Sequence, residues 1–535
     1  AQRAATGQNR FMSKTTRQYG RWTSPLTAAA VAAGRRIDGV AFDSDGSTLV
    51  WLEGRSGQGV LLVDDDSGDA PRDLTVQHSV RAEVGYGGGD FTVQGGVAYF
   101  VVHRTGRLFA QSLAGGTARP ITPAFGSAAS PHVSADGRFV VYVHTDEEID
   151  RIAVADSDGT HWPVILAAGH DFYMQPRLSP DGTRLAFVAW DHPNMPWDGT
   201  TLYVADLDTS GPLPVAGTPR VVAGGDQIAI FQPEFTTDGS RLLYVSDESG
   251  WGRLACRDLQ ADSVQWLTED GVEFGTPAWA QDMRTYAVCG DGRSVLAVAS
   301  RQGVHSVVRI ELESGDHSVV EPLADMTDIS QIVAASTGSR VAVIGSSAVQ
   351  TPRVVFCDIH EGTSRIVARS TGETLSAEGL SSPEAISWES ADGETAHGLF
   401  YPPASESFTG TGLPPVIAMI HGGPTSQSRA GWKADVQYFT TRGWAVLQVN
   451  YRGSTGYGRE YMLKLRGNWG ICDVEDSISG VRHLVESRQV DPDRRVIMGG
   501  SAGGFTVLQV MAHHPDEFTA GVNLYGVANQ FHLAS

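Results

Sequence analysis

The chain has 535 residues, too many for one compact domain, and its 41% hydrophobic content is enough to bury more than one core. Sixty-one acidic against forty basic side chains leave a net charge of −21, which speaks against nucleic-acid or anionic-membrane partners, since both require basic patches. Four scattered cysteines without a Cys-x-x-Cys pair argue against a disulfide framework or zinc site, and no apolar run approaches the ~18–20 residues of a membrane span.

Residues 1–21 are polar and have no apolar h-region, so no secretory signal is read there. With the reduced cysteines this points to the cytoplasm. The missing initiator Met reads as a fragment or a processed start.

From residue 37 one phrase recurs: a polar turn centred on Asp-Gly, then an alternating apolar strand. It stands as Asp45-Gly46-Ser47-Thr48-Leu49-Val50-Trp51, and again from Asp136, Asp181 and Asp238. Degenerate copies begin at Asp282 and Thr337, and Gln94-Gly95-Gly96-Val97-Ala98-Tyr99-Phe100 fills the one double interval. Seven marks thus recur at a mean spacing of about 49 residues. Asp-Gly favours a hairpin because glycine accepts positive φ and the aspartate bonds its own backbone. Further strands follow many of these hairpins, as at Leu202-Tyr203-Val204-Ala205. Four short strands per unit predict a seven-bladed β-propeller over 37–370. A pair of β-sandwiches would not explain the period.

Two stretches interrupt the repeat. Tyr86-Gly87-Gly88-Gly89-Asp90 lacks the Lys and following helix of a phosphate-binding loop. His192-Pro193-Asn194-Met195-Pro196-Trp197-Asp198 reads either as a long inter-strand loop with Trp197 packed locally or as a lining of a substrate cavity. No metal-ligand cluster is found, and neither a metal nor a cofactor is expected.

After Thr371 strands alternate with helices. Pro415-Val416-Ile417-Ala418-Met419-Ile420 is a continuous apolar strand, as a parallel sheet buried on both faces requires. A helix is predicted over 432–442 and a strand over 444–449. Another helix begins near Asp473, with Val474, Ile478, Val481 and Val485 on one face. A strand over 495–498, a helix over 503–514 and a strand over 521–524 follow. This predicts a doubly wound α/β sheet over 371–535.

Between the strand at 495–498 and the next helix stands Gly499-Gly500-Ser501-Ala502-Gly503. Gly-x-Ser-x-Gly at a strand-to-helix turn is the nucleophile elbow of α/β-hydrolases, a turn tight enough to need glycine and to expose the serine hydroxyl. His421-Gly422-Gly423-Pro424 directly follows the first apolar strand. It matches the loop that supplies one oxyanion-hole N–H, the other coming from the residue after the nucleophile, here Ala502. The two motifs lie 78 to 80 residues apart, as in hydrolases. Arg452 reads as a salt-bridge residue or, secondarily, as a substrate anchor. Asp473 and Asp476 read as helix-start caps, and His513 and His514 as a helix end.

A seven-bladed propeller ahead of such a hydrolase resembles the prolyl oligopeptidase family of serine peptidases, in its dipeptidyl-aminopeptidase and acylaminoacyl-peptidase branch. The resemblance is carried by Tyr19-Gly20-Arg21-Trp22, Tyr86-Gly87-Gly88-Gly89, Trp190 to Asp198, His421-Gly422-Gly423-Pro424, Asn450-Tyr451-Arg452-Gly453-Ser454, Gly467-Asn468-Trp469-Gly470 and Gly500-Ser501-Ala502-Gly503. It implies that residues 1–36 pack back on the hydrolase, that the propeller restricts substrates to short peptides, and that Ser501 is the nucleophile. It also implies an oxyanion hole from the N–H groups of Gly423 and Ala502. The family's triad Asp and His are expected beyond residue 535, so the chain reads as truncated and is expected to be inactive by itself. Where His421 stands, other branches of the family carry a tyrosine. An esterase of the same fold, or a non-catalytic propeller binding protein with an incomplete hydrolase half, are the competing readings. Self-association into a homo-oligomer is left open.

Overall fold

The computed structural model describes residues 14–372 and 376–529. Within them, seven consecutive antiparallel sheets form a propeller, six of four strands and one of five. The first blade is Arg36–Phe42, Leu49–Arg55, Gln58–Asp64 and Arg72–Asp73, and the seventh closes with Thr363–Arg369. The Asp-Gly phrase is the turn between the first and second strands of a blade. In three copies a Ser or Thr two residues earlier donates to the aspartate at 2.6 Å: Ser134 to Asp136, Ser179 to Asp181 and Thr236 to Asp238. The same carboxylates accept the N–H two residues on, while the glycine takes a φ near +70°. The second blade lacks its own aspartate, and the neighbouring blade supplies one: Asp43 accepts from Gly96 N–H at 3.0 Å.

The sixth mark needs correction. Asp282 precedes the first strand of that blade, Tyr286–Val288, and the turn proper is Asp291-Gly292, nine residues on. There Asp291 accepts from Arg293 and Ser294 N–H and Gly292 has φ +66°. Asp282 has another role: with Glu234 it pairs with the buried Arg177.

Every blade takes its strands from one continuous stretch of chain, so the ring is not closed by strand pairing between its ends. Packing closes it. Ile37, Leu49 and Trp51 of the first blade share a core cluster with Val333, Ala342 and Ile344 of the seventh, and Arg365 bridges to Asp64 at 2.7 Å and to Asp66 at 3.0 Å.

The hydrolase half is a six-stranded sheet in the order Glu384–Glu389, Thr395–Tyr401, Ala445–Asn450, Val416–Ile420, Arg495–Gly500, Ala520–Leu524. The first two pairs in that order, Glu384–Glu389 with Thr395–Tyr401 and Thr395–Tyr401 with Ala445–Asn450, are antiparallel, and the remaining three pairs are parallel. The antiparallel pair turns at Asp392-Gly393, an Asp-Gly hairpin in the half where the sequence reading expects strand–helix alternation. Helices Ala434–Thr440, Cys472–Glu486 and Ala502–His513 cover the sheet. The helix Cys472–Glu486 buries Val474, Ile478, Val481 and Leu484, so Leu484 takes the inner position expected of Val485. No helix among the described residues is long and apolar enough to cross a membrane.

The segment before the propeller docks on the hydrolase. Thr15–Thr16 pairs with Phe408–Thr409, Trp22 stacks on Phe408 and Gly20 N–H donates to Gly443 O. The expectation for residues 1–13 lies outside the described residues.

Candidate active site

The elbow is built by the register of three parallel strands. Gly499 sits beside Ile420, and Gly500 beside Leu524. Ser501 then takes φ +53° and ψ −121° and starts the helix Ala502–His513, its N–H donating to Leu524 O at 3.1 Å. Such a conformation is strained for a residue with a side chain, and it holds the serine at the sheet's carboxyl edge, exposed. The flanking glycines are required by space. A Cβ on Gly503 would overlap the Ile420 carbonyl oxygen, and one on Gly499 would overlap the Gly503 carbonyl. Below the turn, Gly503, Thr506, Val507 and Val510 bury one helix face.

The loop after Val416–Ile420 lies against the serine. A Cβ on Gly422 would stand 3.3 Å from the Ser501 Cβ and 3.1 Å from Gly500 O. Gly423 has φ +126°, a value that favours glycine. Neither the Gly423 nor the Ala502 N–H has an acceptor among the described residues. Among the described residues, two backbone donors are therefore left unpaired, one on the glycine loop and one at the start of the elbow helix. Among the described residues no side chain hydrogen-bonds the Ser501 hydroxyl.

His421 does not reach it. The imidazole stacks on Tyr451 at 4.4 Å, its Nδ1–H donates to Gly422 O at 2.9 Å, and its Nε2 accepts from the buried Ser454 hydroxyl at 2.8 Å. Burial pushes its pKa down to about 4, so it is neutral and serves as a brace for the glycine loop.

Arg452 is 2% exposed. It contacts Asp476 through Nε at 3.0 Å and Nη2 at 2.8 Å, and it also meets Asp392, Glu475 and Ser390. Its donors are committed to the protein, which makes it a structural ion-pair residue. Asp473 and Asp476 lie at the helix start, as their spacing predicts, but the cap reading is corrected: both are fully buried on the inner face of the helix. Asp476 holds Arg452, while Asp473 accepts from Gly470 N–H at 2.6 Å and Thr506 Oγ at 2.5 Å, tying its helix to the one that starts at Ser501. His513 and His514 lie at the end of the elbow helix, as their spacing predicts.

The propeller reaches this site. Trp197 packs on Trp279 at 4.3 Å, and Arg459 of the hydrolase donates to Trp197 O and pairs with Asp247. Pro196, Trp197, Glu273, Thr455 and Gly458 line a small cavity between the two halves. The loop at 192–198 therefore packs locally and also faces the interface. Glu273 in that cavity has only backbone donors, Gly252 N–H at 2.6 Å among them, and burial raises its pKa to about 7. The sequence carries no signal for Glu273, Trp279 or Arg459, since each acquires its setting only through the docking of the two halves.

Comparison with known proteins adds the following. The family model described as "Prolyl oligopeptidase family" matches residues 431–533. The chain is 28% identical over 413 residues to the acylamino-acid-releasing enzyme of Arabidopsis thaliana, covering 76% of this chain and 45% of that protein. It thus spans less than half the length of that curated relative. A crystal structure of puromycin hydrolase superposes with a TM-score of 0.87 at 31% identity, and the puromycin-hydrolyzing peptidase of Mycobacterium tuberculosis with 0.89 at 30%. Each match covers 97% of this chain and 82% of the other.

Proposed function

Since the chain belongs to the prolyl oligopeptidase family, we propose that it is the propeller and nucleophile-bearing part of a serine peptidase that acts on short peptides, of the acylaminoacyl or dipeptidyl type. Ser501 attacks the scissile carbonyl, and the N–H groups of Gly423 and Ala502 receive the charge that develops on its oxygen. The resulting acyl-enzyme is released by water. The histidine base and its orienting carboxylate are expected past residue 535, in the chain order Ser, Asp, His. We assign residues 37–370 to the propeller domain and 1–36 with 371–535 to the catalytic domain. The propeller acts as a filter for short, extended substrates. Relatives named for releasing acylamino acids and for hydrolysing puromycin support amide substrates over simple esters. We place the protein in the cytoplasm.

The observation that carries this reading is the strained Ser501 with the glycine loop packed against it, the Gly423 and Ala502 N–H groups having no acceptor among the described residues. The test is hydrolysis of N-acyl aminoacyl amides and short peptides by the full-length protein, its chain continued past residue 535, and by its Ser501→Ala variant, with fluorophosphonate labelling alongside. The variant is expected to lose activity at least about 10²-fold and to lose the label. Equal turnover by both would overturn the assignment.

A further inference from the structure

The loop that bears Gly423 has most of its carbonyls tied down. Gly422 O accepts from His421, Pro424 O from the Tyr451 hydroxyl at 3.3 Å, Ser426 O from Thr455 N–H at 2.9 Å and Ser428 O from Asn450 at 3.0 Å. All these donors belong to the hydrolase. Thr425 O is the exception. It accepts from the indole N–H of Trp279 at 2.7 Å, and Trp279 lies in the propeller, on the connection between its fifth and sixth blades.

The indole is held on both sides. Trp197 packs against it at 4.3 Å and Tyr86 meets it edge-on at 5.1 Å. The chain just beyond Thr425 is also laced to the propeller. Ala430 N–H donates to Gly303 O at 2.8 Å, the Thr327 hydroxyl donates to Ala430 O at 2.6 Å, and Arg429 pairs with Asp328 at 3.0 Å. Nearest to Gly423, however, the propeller's hold is Trp279, two residues away.

We propose that Trp279 is a positioning residue for the oxyanion hole: its indole N–H fixes Thr425 O and, through it, the direction of the Gly423 N–H. This inference rests on the peptidase reading given above. A donor on a mobile loop loses much of its effect on a developing charge, because that effect depends on the dipole being oriented before reaction. The arrangement also makes the hole complete only while propeller and hydrolase are docked, since separating them removes the donor to Thr425 O.

The test is Trp279→Phe in the whole protein. Phenylalanine keeps a ring between Trp197 and Tyr86 and removes the N–H. One neutral hydrogen bond corresponds to a rate change of about five- to tenfold. The expected result is a kcat lower by that factor on an N-acyl aminoacyl amide, with KM within about twofold. Amide hydrogen exchange over residues 421–428 should accelerate while the strand Ala445–Asn450 keeps its protection. An unchanged kcat, or a rise in KM with kcat intact, would overturn the proposal. If the unaltered full-length protein, its chain continued past residue 535, neither turns over substrate nor takes a fluorophosphonate label, the peptidase reading itself fails. Exchange then decides alone, and unchanged protection over 421–428 would exclude the role of Trp279.

Discussion

Replacing Arg452 by methionine tests whether that buried guanidinium is structural. Its partners are unequal. Asp392 and Glu475 are 49% and 37% exposed, and exposed pairs contribute little each. Asp476 is fully buried, and without the guanidinium its carboxylate faces methionine in a dry site. Removing one partner of a buried pair costs about 3–5 kcal/mol. Asp476 keeps the Arg452 backbone N–H at 2.6 Å and the Ser390 hydroxyl at 2.6 Å, which places the expected loss near the lower end, about 3 kcal/mol. The assay is urea unfolding of the hydrolase half, followed by hydrogen exchange in the helix Cys472–Glu486, because a chain of two domains need not unfold in one step. The double variant Arg452→Met with Asp476→Leu should regain more than half of the loss. A loss below about 1 kcal/mol, or unchanged stability with abolished turnover, would refute the structural role and place Arg452 on the substrate.

Two further outcomes follow from the geometry. Gly503→Ala puts a methyl into the Ile420 and His421 carbonyl oxygens, and should cost about 2–3 kcal/mol in urea unfolding and abolish fluorophosphonate labelling of Ser501; a variant that labels at the original rate would show that the elbow has room to spare. Glu273 has its pKa raised to about 7 from an ordinary 4.5, so between those values the folded protein binds the proton that the unfolded chain releases, and stability falls as pH rises through that range. Glu273→Gln keeps an acceptor for Gly252 N–H and should remove a loss on the order of 3 kcal/mol between pH 5 and pH 8; thermal unfolding with the same pH dependence in both proteins would contradict it.

The propeller was legible in the chain because its signal is local. Each Asp-Gly turn is made by residues within a few positions of one another, Ser179 with Asp181 and Gly182 for instance, so the sequence alone determines it and repetition multiplies it. The same locality misled at Asp282, where an aspartate without its glycine belongs to an ion cluster with Arg177 from two blades earlier. The elbow and the His-Gly-Gly loop were legible for a related reason: glycines forced by backbone crowding leave a fixed spacing, and Gly503 against Ile420 O supplies that force.

What remained hidden depends on which elements meet. Asp473 and Asp476 head a helix in the sequence, where capping is the natural expectation, yet the fold turns them inward onto Thr506 and Arg452. Trp279 and Thr425 are 146 residues apart and belong to different halves, so no periodicity or motif links them. Their hydrogen bond exists because a propeller and a sheet of independent local origin dock face to face. Local turn chemistry and glycine crowding are therefore decided by sequence, whereas burial of charge and contact across the interface are decided only when the tertiary structure sets what surrounds each side chain.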